Sequence, residues 1–384
     1  MKEGIDILID KTNWKKYRFD EMVQNVSERV EPSQTNLNIY VGLEHIDPDT
    51  LHLSRHGYPC DVEGTKLRFY KGDIIFGRRR AYQRKTALAT TDGICSAHAM
   101  VLRAKEEVVD SNFLPFLFHS KQFIDMAITI SVGGLSPTIN WKDISKQEFL
   151  LPPKDEQKRL AELLWAADEM IEKEKRELER IYQCKNIYFE RKIDKVSKVR
   201  LIDCCLETPQ YGSPSAACTY SKTKSRYIRI TDIDDYGNLL DDEIVSPRNT
   251  NMDSFILKKN DFLIARTGNT VGKSYLHTIE GGLYSYAGYL IRFRTNSEIL
   301  LPEYLMAFTK TSLFEEFKKK TIKIGAQPNI NAEQYANMEI PILPIKEQVV
   351  LISQLEKYNF IYKKVLSQIS FSQQLKQELI NKIF

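Results

Sequence analysis

Apolar positions along the chain follow two alternating patterns. From Asp155 onward, Leu160, Leu164, Ala167, Ile171, Glu174, Leu178, Ile181, Lys185 and Tyr188 step by alternating intervals of four and three. From Lys346 onward, Leu351, Leu355, Tyr358, Tyr362, Val365 and Ile369 do the same. A seam repeating every 3.5 residues belongs to helices that supercoil on a partner. Pro153 and Pro344 stand just before these stretches, where a missing N–H costs little. Each helix is predicted to run about 40 residues, or roughly 60 Å. Two such helices, each entered from its own domain, predict an antiparallel pair within the chain. After Ile369 the seam meets Ser372 and Lys376, while Leu375, Leu379 and Ile383 suggest a slipped register over the last turns.

Ahead of each helix the pattern changes to short apolar or alternating runs. "NIYVGL", "DIIFG" and "MVLRA" precede the first, and "RYIRI", "DFLIA" and "YLIRFR" the second, with Gly, Asn and Asp between them. These read as strands and turns, with some helix around 113–130 and 302–320.

The two halves are copies of one unit. Laid side by side without a gap, 136–160 and 327–351 agree at Pro137/Pro328, Ile139/Ile330, Asn140/Asn331, Glu148/Glu339, Pro153/Pro344, Glu156/Glu347, Gln157/Gln348 and Leu160/Leu351. Upstream, "GDIIFGRRR" resembles "NDFLIARTG", placing Asp73 against Asp261 and Arg78 against Arg266. "GICSAHAMVLR", ending at Arg103, resembles "GLYSYAGYLIR", ending at Arg292. "NIYVGLEHID", ending at Asp47, resembles "SRYIRITDID", ending at Asp234. Order is kept and the offset barely drifts. The period is too long for a solenoid and predicts two like domains with approximate two-fold symmetry. The expected class is α+β: similar domains over 1–154 and 198–345, joined by two long antiparallel coiled-coil helices over 155–197 and 346–384.

Composition narrows this little. The 384 residues are 28% charged and 42% hydrophobic, with a formal charge of only +4, so any nucleic-acid contact must be a local patch. No signal-peptide core and no run of 18 apolar residues stands out, and the six cysteines form no CxxC pair. These features predict a cytoplasmic chain with reduced thiols and no membrane partner.

Three stretches imitate chemistry. "TGNTVGKS" (267–274) follows a strand like a phosphate loop, but it has three residues between its glycines where four are needed, and strand rather than helix follows. It reads as a hairpin turn. "DIDDYGNLLDDE" (232–243) nearly fits a calcium loop, but Tyr236 occupies a ligand place and strands flank it. His52, His56 and Cys60 lack a fourth ligand. No catalytic constellation is found, and no catalytic residue, cofactor site or metal site is predicted in this chain.

The basic patch is "RRRAYQRK", with Arg78, Arg79, Arg80, Arg84 and Lys85 around Tyr82, at the end of a strand. Arginine can grip phosphates or pair with guanine edges, and tyrosine can stack. The matching place in the second copy carries Arg266, Asn269 and Lys273. The glycine-rich loops before the helices add Ser131, Gly133 and Thr138 in one copy and Lys323 and Gln327 in the other. Corresponding loops with unlike side chains predict two heads reading unlike DNA half-sites.

The paired strands ending in arginine, the glycine-rich loop, "P-x-I-N", "LPPKDEQKRL" or "LPIKEQVVL", and the heptad helix together resemble the specificity subunit of type I restriction-modification enzymes. The resemblance covers essentially the whole chain. It implies two target-recognition domains, each reading half of a bipartite, asymmetric site, with the helices setting the unread gap. It also implies double-stranded DNA, two methyltransferase subunits and two ATP-driven restriction/translocase subunits as partners. Those partners would use S-adenosylmethionine, ATP and Mg. The alternatives are a free-standing DNA-binding scaffold without a methyltransferase partner, or a nucleotide hydrolase using the Gly268 loop.

Overall fold

The computed structural model describes residues 9–249, 251–322 and 327–384. The chain forms two compact units. The first comprises Met1–Lys175 with Ser367–Phe384, and the second comprises Arg176–Leu366.

In the first unit, strands β1 (Val23–Val26), β2 (Ile74–Gly77), β3 (Thr86–Leu88) and β4 (Ala99–Ala104) form an antiparallel sheet ordered β1-β4-β2-β3. In the second, β5 (Gln210–Tyr211), β6 (Phe262–Ala265), β7 (Ser274–Leu276) and β8 (Leu290–Phe293) form a sheet in the matching order β5-β8-β6-β7. The β2 and β6 strands are buried along their whole length. That explains why they read as continuous apolar runs rather than alternating ones. Each unit also pairs two strands in parallel, Tyr40–Val41 with Gly93–Cys95 and Arg226–Ile228 with Tyr284–Tyr286.

The strand register corrects one detail of the internal alignment. Ile74 lies opposite Leu102, and Phe262 opposite Phe293, so Arg103 corresponds to Arg294 rather than Arg292. The side chains agree. The buried Asp73 carboxylate takes the Nε and Nη2 of Arg103 at 2.7 and 2.9 Å and the backbone N–H of Tyr70 at 2.8 Å. Buried Asp261 takes the same two nitrogens of Arg294 at 2.6 and 3.2 Å and the N–H of Lys258 at 2.9 Å. The repeated Asp is therefore a turn clamp, and an unpaired carboxylate there would be costly.

The short helix α1 (Lys121–Thr129) covers the first sheet and is capped by Ser120, whose hydroxyl accepts from the Phe123 N–H at 3.1 Å. The long helix α2 runs over Lys154–Ile193. In the second unit α3 (Ser312–Thr321) is capped by Thr311 in the same way, and α4 runs over Ile345–Ile383. The motif ahead of each long helix has a clear physical role. Gln157 is buried, accepts from the Asp110 N–H at 2.7 Å and donates to the carbonyls of Val108 and Pro152. Gln348 is buried, accepts from the Leu301 N–H at 3.0 Å and donates to the carbonyls of Ile299 and Leu343. Each glutamine ties the start of a long helix to the loop ahead of that unit's helical layer.

The seam at the end of α4 is not slipped. Ile369, Ser372, Lys376, Leu379 and Ile383 are all buried, continuing the four-and-three rhythm unbroken. Ser372 and Lys376 occupy seam positions because α2 offers matching polar groups. Lys376 Nζ lies 2.7 Å from Asp168, and the Ser372 hydroxyl donates to Glu174 at 3.3 Å. These two contacts run antiparallel. On α2 the deeply buried position is Asp168 rather than neighbouring Ala167.

Core membership crosses the sequence repeat. Leu379, Ile380 and Ile383 from α4 join the first unit's core with Phe19, Phe76, Phe113 and Leu164. Phe189 and Ile193 from α2 join the second unit's core with Phe262, Tyr304 and Leu351. Among the described residues, no helix is long and apolar enough to cross a membrane.

Candidate nucleic-acid interface

The loops closing β2-β3 and β6-β7 share one backbone form. Gly77 N–H donates to the Lys85 carbonyl at 2.9 Å, and Ala265 N–H to the Lys273 carbonyl at 2.8 Å. Two positions in each loop are left-handed: Arg80 (φ 56°) and Arg84 (φ 54°) in one, Gly268 (φ 67°) and Gly272 (φ 87°) in the other. The glycines that imitate a phosphate loop are thus explained by a tight turn needing positive φ. Arginine adopts the same conformation at a cost of roughly 1–2 kcal/mol per residue.

In both units the loop is joined to the glycine-rich segment before the long helix. Arg80 N–H donates to the Pro137 carbonyl at 2.7 Å, and Ile139 N–H to the Arg78 carbonyl at 2.9 Å. Gly268 N–H donates to the Pro328 carbonyl, and Ile330 N–H to the Arg266 carbonyl, both at 2.9 Å. The P-x-I-N motif therefore adds an edge to the arginine-bearing loop in each copy.

The side chains differ. Arg79 Nε donates to the Ser136 hydroxyl at 2.7 Å, Arg80 Nε approaches it at 3.3 Å, and Tyr82 is half exposed. Among the described residues, no carboxylate pairs with Arg78, Arg79 or Arg80, and Arg78 Nε is buried without a partner. Arg84 is turned inward, pairing with Asp49 and donating to the His119 carbonyl at 3.2 Å and to Gln377 at 3.4 Å. Lys85 Nζ donates to the Leu43 carbonyl at 2.6 Å. Ser131 donates to the Ala127 carbonyl and Thr138 to the Ser136 carbonyl, while Gly133 takes a φ of 117°. In the second unit Arg266 lies 4.8 Å above the Tyr211 ring, Asn269 and Gln327 are exposed, and Lys273 pairs with Asp235 at 2.7 Å. Lys323 lies outside the described residues. The first loop presents a cationic run at Arg78, Arg79 and Arg80 with no carboxylate partner among the described residues, while the second presents one arginine, stacked on Tyr211, beside amide and hydroxyl groups.

Two neighbours of these loops escaped the reading of the sequence. His98 Nε2 stands 3.4 Å from Arg79, and burial followed by the charges of Arg79, Arg78 and Lys66 holds its pKa below the usual imidazole range. At the matching place in the second unit stands exposed Tyr289, whose carbonyl accepts from the Arg266 N–H at 3.0 Å. No motif marks either residue, because the strand register rather than local spacing brings them beside the loops.

The imitators resolve as structural groups. Asp234 accepts from its own turn, at Tyr236 N–H and at the backbone and side chain of Asn238. His52 binds Asp168 at 2.5 Å, and His56 contacts the adjacent Gly57 carbonyl. Among the described residues no group of three or more His, Cys, Asp or Glu could hold a metal ion.

The profile of the type I restriction modification DNA specificity domain matches residues 13–183 and again 206–377, and the chain belongs to that family. Over 169 residues it is 32% identical to the type I restriction enzyme EcoDI specificity subunit of Escherichia coli, a match covering 42% of this chain and 37% of that protein. The chain thus spans little more than a third of the length of that relative. A solved structure described as the basis of complex assembly and conformational transition of the type I R-M system superposes with a TM-score of 0.55 at 19% identity, covering 97% of both chains. The type I S subunit from M. genitalium matches over the whole chain and 98% of its own, at 15% identity and a TM-score of 0.49.

Proposed function

We propose that this chain is the non-catalytic, DNA-reading subunit of a type I restriction-modification assembly. Its domains over 1–154 and 198–345 serve as target-recognition domains, each reading half of a split, asymmetric site. The helices over 155–197 and 346–384 set the unread gap and hold the partners: two methyltransferase and two restriction/translocase subunits acting in the cytoplasm. Adenine methylation with S-adenosylmethionine, and ATP- and Mg-dependent translocation and cleavage, belong to those partners.

One observation carries this reading. The same loop-on-loop platform occurs once in each unit, with one backbone form and unlike side chains. A fixed frame with exchangeable side chains suits a two-headed reader of unlike half-sites. Arg78, Arg79, Arg80 and Tyr82 are the proposed contacts in the first head, and Arg266, Asn269 and Gln327 those in the second. Arg84, Lys85 and Lys273 hold the loops. Exposed apolar residues on the long helices, Phe360 at 72%, Phe371 at 65% and Val350 at 60%, suit protein partners.

The test is an adenine-methylation map of the native host by single-molecule sequencing, with and without this chain. Loss of one split, asymmetric methylated motif is expected. With Arg79→Ala/Arg80→Ala in place of the native chain, methylation at that motif should fall, and binding should lose salt sensitivity by about one to two phosphate contacts. An unchanged map in a host whose partner methyltransferase is active would overturn the proposal.

A further inference from the structure

The glycine-rich segment in the first unit is a small, pinned hairpin. Val132 and Thr138 exchange two backbone hydrogen bonds, at 3.0 and 2.9 Å. At its tip Leu135 is 97% exposed. The residue after it, Ser136, is fixed by the Nε groups of Arg79 and Arg80, and Pro137 by the Arg80 N–H. Gly133, at a φ of 117°, lets the chain turn sharply into the tip. Beside the tip is a hollow of about 310 Å³, lined mainly by Glu44, Arg79, Arg80, Gln83, Ser96 and His98.

An isolated exposed leucine is ordinary on a protein surface. This one differs in its support: the next residue, Ser136, takes the Nε groups of Arg79 and Arg80, and among the described residues neither arginine has a carboxylate partner. That charge favours DNA as the occupant over an apolar protein surface. Within DNA, an apolar side chain can wedge between base steps or pack on the thymine 5-methyl group in the major groove. Unstacking a step offsets most of what burial of one leucine returns, whereas a groove contact needs no unstacking. The mixed donors and acceptors of the adjoining hollow also suit base edges in the wide groove.

We propose that Leu135 is a specificity-determining residue that packs on the methyl group of one thymine in the half-site read by the first unit. Arg79 and Arg80 anchor the backbone or base edges beside it. This rests on the DNA-reading function proposed above and identifies one base of its target.

The experiment uses the chain assembled with its methyltransferase and DNA duplexes carrying the mapped motif, with uracil replacing thymine one position at a time. For the native chain, one replacement should weaken binding about four-fold, the worth of one buried methyl group. Leu135→Ala should weaken binding to the unmodified duplex at least as much and bind the thymine and uracil duplexes equally. Leu135→Met should keep the discrimination. The tip is exposed, so these variants leave the core intact. Equal thymine-to-uracil ratios for the native chain and Leu135→Ala at every position would overturn the inference while leaving DNA reading intact. A Leu135-dependent rise in fluorescence of 2-aminopurine placed in the motif, indicating unstacking, would replace methyl packing by a wedge. Loss of methyltransferase co-purification with unchanged DNA binding would reassign the tip to a protein contact. Absence of any motif-dependent, salt-sensitive binding by the native assembly would instead defeat the DNA-reading function itself.

Discussion

Gln157 and Gln348 show how one residue type at one spacing can be required twice. Each satisfies one N–H and two carbonyls in buried or part-buried surroundings. An alanine would leave those groups unpaired, and each unmet group costs about 1–3 kcal/mol. Gln157→Ala is expected to destabilise the first unit by roughly 3 kcal/mol and Gln348→Ala the second by a similar amount. Thermal unfolding followed by unit-resolved hydrogen exchange checks this. Protection lost equally in both units by either change would contradict it. The residue scale also separates look-alikes. Arg78 to Arg80 and Arg84 belong to one basic run, yet the left-handed turn at Arg84 sends its guanidinium inward to Asp49 and Gln377.

At the scale of elements, α4 carries serine and lysine where a supercoil expects apolar residues. The pair Asp168–Lys376 shows why this is tolerated. Burial alone would raise the Asp168 carboxyl, but its hydrogen bond to His52 and the charge and hydrogen bond of Lys376 outweigh this and hold the pKa at about 2. A carboxyl held below its unfolded value of about 3.9 adds stability above that pH, and the contribution is lost as the pH falls toward 2. Lys376→Met leaves the buried carboxylate with His52 alone, and a loss of roughly 2 kcal/mol is expected at pH 7. The gap from the native chain should shrink below about pH 4, and Asp168→Asn should rescue the variant. Urea unfolding between pH 2 and 7 reads this, and a pH-independent gap would show that packing rather than charge carries the effect.

The crossed cores matter at the scale of the whole molecule. The first unit is completed by Ser367–Phe384, the end of the second repeat's helix. Leu379, Ile380 and Ile383 are each 7% exposed or less, and burying a large apolar side chain stabilises by about 1.5–3 kcal/mol. Truncation after Leu366 should remove roughly 5–9 kcal/mol from the first unit, comparable to an entire domain's stability. Hydrogen exchange should then show the first unit unprotected and Arg176–Leu366 still folded. Retained protection of β2 and β4 would sink this account.

The repeat, the strands around Ile74 and Phe262, the two heptad helices and the loops holding Arg78 and Arg266 are all legible in the amino-acid order alone. Periodicity and turn chemistry are local, and duplication made each visible twice. That order also carried enough motif to mark the family. That Ser372 and Lys376 belong to the seam emerges only on folding, because each is matched by a polar partner some 200 residues away. Folding likewise decided that Arg103 matches Arg294, that His98 and Tyr289 flank the loops, and that Arg84, Lys85 and Lys273 turn inward while Leu135 stands out. Side-chain direction depends on the backbone at positive φ and on neighbours from distant segments, and neither is written in the local pattern.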